Sequence, residues 1–133
     1  MGGEVVAQGL VKTYGDLTAV RGISFEVGPG ECFGFLGPNG AGKTSVLRMI
    51  GCVSPVTAGD LRVGGMSVST DGRQVKALLG IVPQEESLDP DLSVFNNLVV
   101  YAGYFGMSGS VARERAVESL REFQLLDRAS SQV

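Results

Sequence analysis

The stretch at residues 37–44 constrains what this 133-residue chain can fold into more tightly than any other part of its sequence. It reads Gly-Pro-Asn-Gly-Ala-Gly-Lys-Thr, a glycine followed by four residues and then Gly-Lys-Thr. In loops with this pattern, successive backbone N–H groups turn inward around phosphate oxygens and the lysine reaches the terminal phosphates. The sequence therefore predicts a nucleoside triphosphate site; the alternative is a glycine-rich turn that carries Lys-Thr by coincidence.

A loop of this type requires a strand before it and a helix after it. Residues 32–36 are an apolar run entered through a Gly-Pro-Gly turn, which predicts a short strand buried on both faces. Residues 44–51 predict a helix that Gly51 ends, and the start of that helix attracts anions through its partial positive charge and free N–H groups. The apolar positions at helical spacing are Val46, Leu47 and Ile50.

The chain before residue 70 reads mainly as β-structure, because apolar or alternating runs are separated by turn residues. Residues 12–16 are predicted to be a loop, and Gly64-Gly65 a hairpin turn. The predicted strands are residues 4–11, 19–27, 60–63 and 66–69.

Beyond residue 70 the pattern becomes mainly helical. Asp71 is expected to cap a short helix, after which Ile81-Val82 predicts a short buried strand. Ser93 and Ser110 are expected to cap two further helices, each with an apolar stripe.

Composition excludes several classes of protein. A net charge of -3 argues against a dedicated nucleic-acid binder. No apolar run approaches the length of a membrane-spanning helix and the N-terminus lacks a signal sequence, so the chain is expected to be cytoplasmic. It contains no histidine, which excludes a histidine base and a histidine metal site within these residues. Cys32 and Cys52 are interpreted as small core residues.

The residues around the loop decide between classes of phosphate-loop protein. A small GTPase is expected to continue with Asp-x-x-Gly and Asn-Lys-x-Asp, and neither string occurs after Gly42. The strings that do occur are Tyr14-Gly15, residues 20–27, Pro29-Gly30-Glu31, Asn39-Gly40-Ala41 and Val82-Pro83-Gln84. In this combination the chain resembles, over essentially its whole length, the nucleotide-binding domain of ATP-binding cassette (ABC) transporters.

The resemblance implies ATP and Mg²⁺ as cofactors and a role for each matching residue. Tyr14 is expected to stack on the adenine ring, and Val20 is a second nucleotide contact. Thr44 is expected to bind Mg²⁺ between the β- and γ-phosphates. Lys43 and Gln84 are the expected catalytic residues, and Gln84 also reaches Mg²⁺ and positions water. The full set expected to bind nucleotide is Tyr14, Val20, Gly37, Asn39, Gly40, Ala41, Gly42, Lys43, Thr44 and Ser45.

Residues 88–94, 96–98 and 104–108 resemble more specifically the branch that serves drug exporters and nodulation-factor exporters. This resemblance implies an amphiphilic drug, a polysaccharide or a lipid-like solute, moved outward by membrane-spanning partner subunits. The chain itself is then expected at the inner face of the cell membrane, and the full-length protein is expected to pair head to tail with a second cassette. No nucleic-acid partner is expected.

Three motifs of a whole cassette domain do not occur in these 133 residues: the Leu-Ser-Gly-Gly-type signature, the apolar strand ending in Asp and then Glu, and the switch histidine. We therefore expect the N-terminal part of such a domain, an α/β phosphate-loop fold with an incomplete core sheet. Residues 1–92 are expected to be an antiparallel β subdomain plus the loop core, and residues 93–133 the start of a helical subdomain. Residues 32–36 then have an open edge that favours self-association, and Mg-ATP is bound weakly without turnover.

Three functions stay open at the level of the sequence. The first is an energy-coupling ATPase subunit of a membrane exporter. The second is a soluble cassette protein that acts on ribosomes or DNA, which shares the loop and Gln84. The third is a nucleotide-binding fragment with no activity of its own.

Overall fold

The computed structural model describes residues 4–83 and 87–133. The chain divides into two compact units, Met1–Val82 and Pro83–Val133. The first unit contains β1 (Val5–Tyr14), β2 (Leu17–Val27), α1 (Lys43–Ile50), β3 (Ala58–Val63), β4 (Met66–Ser67) and α2 (Gly72–Leu78). The second contains α3 (Val94–Tyr104), α4 (Gly109–Glu122) and a 3₁₀ turn at Leu126–Arg128.

Backbone pairing joins the four strands into one antiparallel sheet in the order β2-β1-β3-β4. The hairpin turn predicted at Gly64-Gly65 is confirmed, because it links β3 to β4. The loop predicted at residues 12–16 is wrong for most of its length. β1 continues to Tyr14, which pairs with Leu17, so only residues 15 and 16 turn. Two long antiparallel strands can close through a two-residue turn, and the ladder therefore extends to the tip of the hairpin.

The core of the first unit lies between the sheet and its helices. Val46 and Met49 of α1 are three residues apart on one helical face and both are buried. Leu47, predicted to share the apolar stripe, is exposed, whereas the predicted end of the helix at Gly51 is confirmed. The buried core residues are Ala7, Leu10, Val20, Val46, Met49, Leu61, Val63, Val68 and Val75.

The loop before α1 lies directly against the backbone of β2. Gly42 is the residue that precedes the first turn of α1, and its φ of 88° is in the left-handed region. A Cβ atom at Gly42 would overlap the backbone oxygen of Ala19 and would lie 3.2 Å from Cγ2 of Val20. Both the backbone angle and the lack of space therefore require glycine at this position.

Residues 32–36 pair with no strand among the described residues, so the prediction of a strand buried on both faces is wrong. Leu36 is 97% exposed, and Cys32, interpreted from the sequence as a core residue, is exposed as well. Phe35 and Phe33 contact the sheet through Phe25: the ring of Phe35 lies edge-on to it at a centroid distance of 5.2 Å, and the ring of Phe33 stacks on it at 5.6 Å. The physical reason is that burying a strand on both faces requires neighbouring strands, and none pairs with residues 32–36 among the described residues.

Two other predictions for the first unit have opposite outcomes. Ile81 and Val82 belong to no strand and are exposed, Val82 by 96%, so the predicted buried strand is wrong. Cys52 packs against the core as predicted, and its partial burial raises the pKa of its thiol. The apolar pair Ile81-Val82 was therefore a weaker indication of burial than the position of Cys52 directly after α1.

The second unit is a helical hairpin in which α3 and α4 pack together across residues 105–108. Ser93 caps α3 as predicted, because its Oγ accepts a hydrogen bond from the backbone N–H of Asn96 at 3.2 Å. The start predicted for α4 at Ser110 is displaced, since Ser108 is the residue that precedes its first turn. None of the helices in residues 4–83 and 87–133 is both long enough and apolar enough to cross a bilayer.

A buried asparagine holds the connection that enters α3. Nδ2 of Asn97 donates to the backbone oxygens of Asp89 at 2.9 Å, Leu92 at 3.3 Å and Ser93 at 3.3 Å. Its Oδ1 accepts from the backbone N–H of Asp89 at 2.8 Å. The side chain therefore satisfies one donor and three acceptors of a segment that has no regular secondary structure.

Replacing Asn97 by alanine should loosen residues 89–93, because the N–H of Asp89 loses its acceptor. We expect the free energy of opening at that amide to fall by about 2 kcal/mol, measured by hydrogen exchange. Asn96→Ala is the matched control: the adjacent side chain is exposed, and its removal should change the same exchange rate by less than about 0.5 kcal/mol. Equal effects of the two variants would contradict this account of Asn97.

Replacing Gly42 by alanine should lower the free energy of unfolding of the first unit by roughly 2–4 kcal/mol, from strain in φ and from overlap with Ala19. Gly40→Ala separates these causes, because Gly40 has a similar φ of 84° and no atom within 4 Å of an added Cβ. That control should cost only about 1 kcal/mol. Denaturant unfolding of both variants measures the difference, and equal costs would mean that contact with β2 is unimportant.

Candidate functional site

The start of α1 presents unused backbone donors. The N–H of Val46 donates to the oxygen of Gly42 at 3.0 Å, which is the first hydrogen bond of the helix. The N–H groups of Lys43, Thr44 and Ser45 donate to no acceptor within residues 4–83 and 87–133, and no side chain caps the helix. Together with the partial positive charge of a helix N-terminus, these donors form a site that favours an anion.

The Lys43 side chain places its charge over the same loop. Its Nζ donates to the backbone oxygens of Gly37 at 2.6 Å and Pro38 at 2.7 Å. The lysine at the end of the loop thus binds the carbonyl oxygens at the start of the loop. The residues between Pro38 and Gly42 form an exposed turn and are Asn39, Gly40 and Ala41.

Tyr14 lies beside the first turn of α1, although 31 residues separate it from Ser45 along the chain. Its hydroxyl donates to Oγ of Ser45 at 3.4 Å, and the side chain is 43% exposed. The hydroxyls of Ser45 and Ser54 beside the phenol, followed by the charges of Lys12 and Arg48, lower the pKa of Tyr14. The end of β1 and the start of α1 therefore contribute to one surface, which brings together Tyr14 and Ser45 of the predicted set.

Lys12 is a neighbour of this surface that the sequence reasoning missed. It is only 5% exposed, and its Nζ lies 4.8 Å from the centroid of the Tyr14 ring. The same Nζ donates to the backbone oxygen of Pro55 at 2.6 Å. A signal was present in the sequence: Lys12 is two residues from the core residue Leu10, and strand positions two apart share a face. Interpreting residues 12–16 as a loop hid that alternation.

A cavity of about 510 Å³ lies between β2 and the loop. It is lined by residues 17–21 and 23 of β2, by residues 40–43, and by Phe35, Leu36 and Val46. The cavity therefore adjoins the start of α1 through Lys43, whereas Tyr14, Thr44 and Ser45 do not line it. Val20 is among the lining residues, is 3% exposed and packs close to Gly42.

The chemistry available for a metal ion at the loop is a hydroxyl rather than a cluster of carboxylates. Thr44 is exposed in the first turn of α1. No group of three or more Asp, Glu, Cys or His side chains that could hold a metal occurs in the part of the chain that the structure describes. Gln84, the second predicted metal ligand, lies outside the described residues. A hard cation that brings its own phosphate and water ligands fits this donor set.

Comparison with known proteins places this loop in a family. A family model described as ABC transporter matches residues 20–133. The chain is 48% identical over 116 residues to Nod factor export ATP-binding protein I of Paraburkholderia xenovorans, which covers 87% of this chain and 38% of that protein. The protein with the same description from Rhizobium etli is 46% identical over 116 residues, covering 87% and 36%. The chain thus spans well under half the length of these relatives.

Solved structures show the same fold. An ATP-binding subunit of an ABC transporter matches with a TM-score of 0.80 at 24% identity, over 96% of this chain and 53% of that one. An ATP-binding cassette solved as a dimer in a post-hydrolysis state, bound to ADP and Pi, matches with a TM-score of 0.80 at 26% identity, over 96% and 60%. The predicted α/β cassette fold is confirmed. Because the family model covers most of its residues, the chain belongs to the ABC transporter family of ATP-binding cassettes.

Proposed function

We propose that this chain is the ATP-binding part of an ATPase subunit that powers a membrane exporter. The observation that carries the proposal is the start of α1, where the N–H groups of residues 43–45 are free and the ammonium group of Lys43 lies on the carbonyl oxygens of the loop that precedes them. Such a group of donors is complementary to a polyphosphate. The relatives are described as ATP-binding proteins for Nod factor export, which supports export over a soluble cassette that acts on ribosomes or DNA.

Each part of the nucleotide has a residue to receive it. The exposed ring of Tyr14 stacks on adenine, an interaction that needs only a flat π-face. Ser45, whose Oγ is 3.4 Å from the Tyr14 hydroxyl, contacts the α-phosphate. Lys43 binds the β- and γ-phosphates, and the loop N–H groups surround their oxygens. Val20 contributes indirectly, because it packs against Gly42 of the loop.

Mg²⁺ is bound with few protein ligands in this proposal. The ion usually keeps several waters and takes one or two protein oxygens plus substrate phosphates. The hydroxyl of Thr44 supplies one such oxygen. Gln84 supplies the other, an assignment that rests on the sequence alone. When bound, the ion neutralises charge on the phosphates.

The activity of the whole protein goes beyond this chain. We propose that the whole protein hydrolyses ATP, with Lys43 and Gln84 contributing from this part and with a second cassette opposite. Residues 1–92 are assigned to the β subdomain and loop core, and residues 93–133 to the helical subdomain. Membrane-spanning partner subunits then select the solute, and the assembly lies at the inner face of the cell membrane. The match to a cassette solved as a dimer supports the pairing.

Replacing Lys43 by alanine should weaken ATP binding by roughly 10- to 100-fold, because a charge-assisted contact to the phosphates is lost. Isothermal titration calorimetry of the 133-residue chain measures the affinity. Lys76→Ala is the control, since it removes the same charge from an exposed position in α2 and should leave the affinity unchanged. Unchanged ATP affinity in the Lys43 variant would reject the site.

Replacing Thr44 by valine should reduce affinity for ATP by about 5- to 10-fold when Mg²⁺ is present, because the isosteric side chain offers the ion no oxygen. With the metal removed by EDTA, parent and variant should agree within about twofold. The difference between the two titrations isolates the metal ligand from the loop geometry. A variant that is equally impaired in both conditions would show that Thr44 does not act through Mg²⁺.

A further inference from the structure

Lys12 is a buried cation with an unusual set of partners. Its ammonium lies 4.8 Å from the centroid of the Tyr14 ring, although the pairing of β1 with β2 is irregular between Lys12 and Thr13. Its only hydrogen bond among the described residues goes to the oxygen of Pro55. Within the same residues, no carboxylate forms an ion pair with it. Burying an ammonium without a counter-ion opposes folding, so the ring and one carbonyl must offset that cost.

These contacts connect Tyr14 to the start of α1 directly and, through Lys12, to the segment that follows α1. The Tyr14 hydroxyl reaches Ser45 in the first turn of the helix, whereas Lys12 reaches Pro55, which follows the end of the helix. Ser45 therefore holds the ring at its hydroxyl, and Lys12 holds it on one face. A ring that is still 43% exposed after these contacts has surface left for a further planar group.

We propose that Lys12 is a positioning residue for the base of the nucleotide, which it serves by holding Tyr14 in the orientation that stacks on adenine. This inference rests on the proposed function. The cation attracts the π-face of the ring, and a ring that is ordered before binding loses less conformational freedom when the base arrives. The effect is confined to the base, since the phosphates are bound by Lys43 and the loop N–H groups.

A lysine with a merely structural role would behave differently. Its loss would weaken every contact that depends on the fold, so binding of base and of phosphates would fall together. A positioning role predicts that only the part of the affinity contributed by the base is lost. Comparing ATP with inorganic tripolyphosphate, which has no base, separates the two roles.

The test uses Lys12→Met in the 133-residue chain, because methionine fills a similar volume without the charge. Calorimetric titrations should show ATP bound about 3- to 10-fold more weakly than by the parent, with tripolyphosphate affinity the same within about twofold. Lys76→Met is the matched control, an identical change at an exposed position, and should alter neither titration. Equal losses for both probes in the Lys12 variant would assign it a structural role and overturn the proposal.

A double-mutant cycle identifies Tyr14 as the intermediary. In a Tyr14→Ala background, Lys12→Met should cause no further loss of ATP affinity, because no ring remains to be positioned. An undiminished effect of Lys12→Met in that background would overturn the proposal. If Lys12→Met does not fold by circular dichroism, Lys12→Gln replaces it in the same two titrations, with the same expected selective loss of ATP affinity. Equal losses for ATP and tripolyphosphate, or no loss for either, in a folded Lys12→Gln variant would overturn the proposal.

The parent chain separates this inference from the function on which it rests. A parent that binds neither ATP nor tripolyphosphate would reject the proposed function, and the role of Lys12 with it. A parent that binds both, together with a Lys12→Met variant that binds both equally well, would overturn only the role of Lys12.

Discussion

The contact between Gly42 and the backbone of Ala19 fixes where α1 begins against the sheet, and the geometry of the loop depends on it. Because the helix starts at contact distance from β2, Val46 and Met49 reach the core within its first two turns. The rest of the same first turn then stays outside the core, with Thr44 exposed and the N–H groups unused. One residue without a side chain therefore determines both what α1 buries and what it leaves for a ligand.

The end of β1 adds a second constraint, since it places a charged side chain where the core would otherwise be apolar. Lys12 occupies a buried position two residues from Leu10, yet its ammonium faces a ring and a carbonyl rather than a carboxylate. A methionine would fill that space without the desolvation penalty. Departures from the most stable local choice tend to occur at functional sites, and this one lies beside the aromatic ring proposed to bind the base.

The sequence predicted the features that depend on near neighbours. The loop at residues 37–44, the end of α1 at Gly51 and the turn at Gly64-Gly65 follow from residues a few positions apart, whose backbone requirements are local. Burial at residues 32–36 could not be predicted in this way, because it depends on strands that must lie on both sides. The position of Lys12 required the correct length of β1, which the turn residues obscured.

The starts of α3 and α1 differ in whether their backbone N–H donors have acceptors within the chain. At α3, the N–H groups of Val94 and Phe95 donate to the oxygens of Ser131 and Ala129, both at 2.9 Å, and Oγ of Ser93 accepts a further bond. The N–H groups at the start of α3 thus find acceptors within the chain, as the N–H groups of most helix starts do. At α1 the residue before the first turn is a glycine, which has no side chain to accept. The same glycine that allows the close approach to β2 therefore leaves three donors free, as the proposed binding of phosphate oxygens requires.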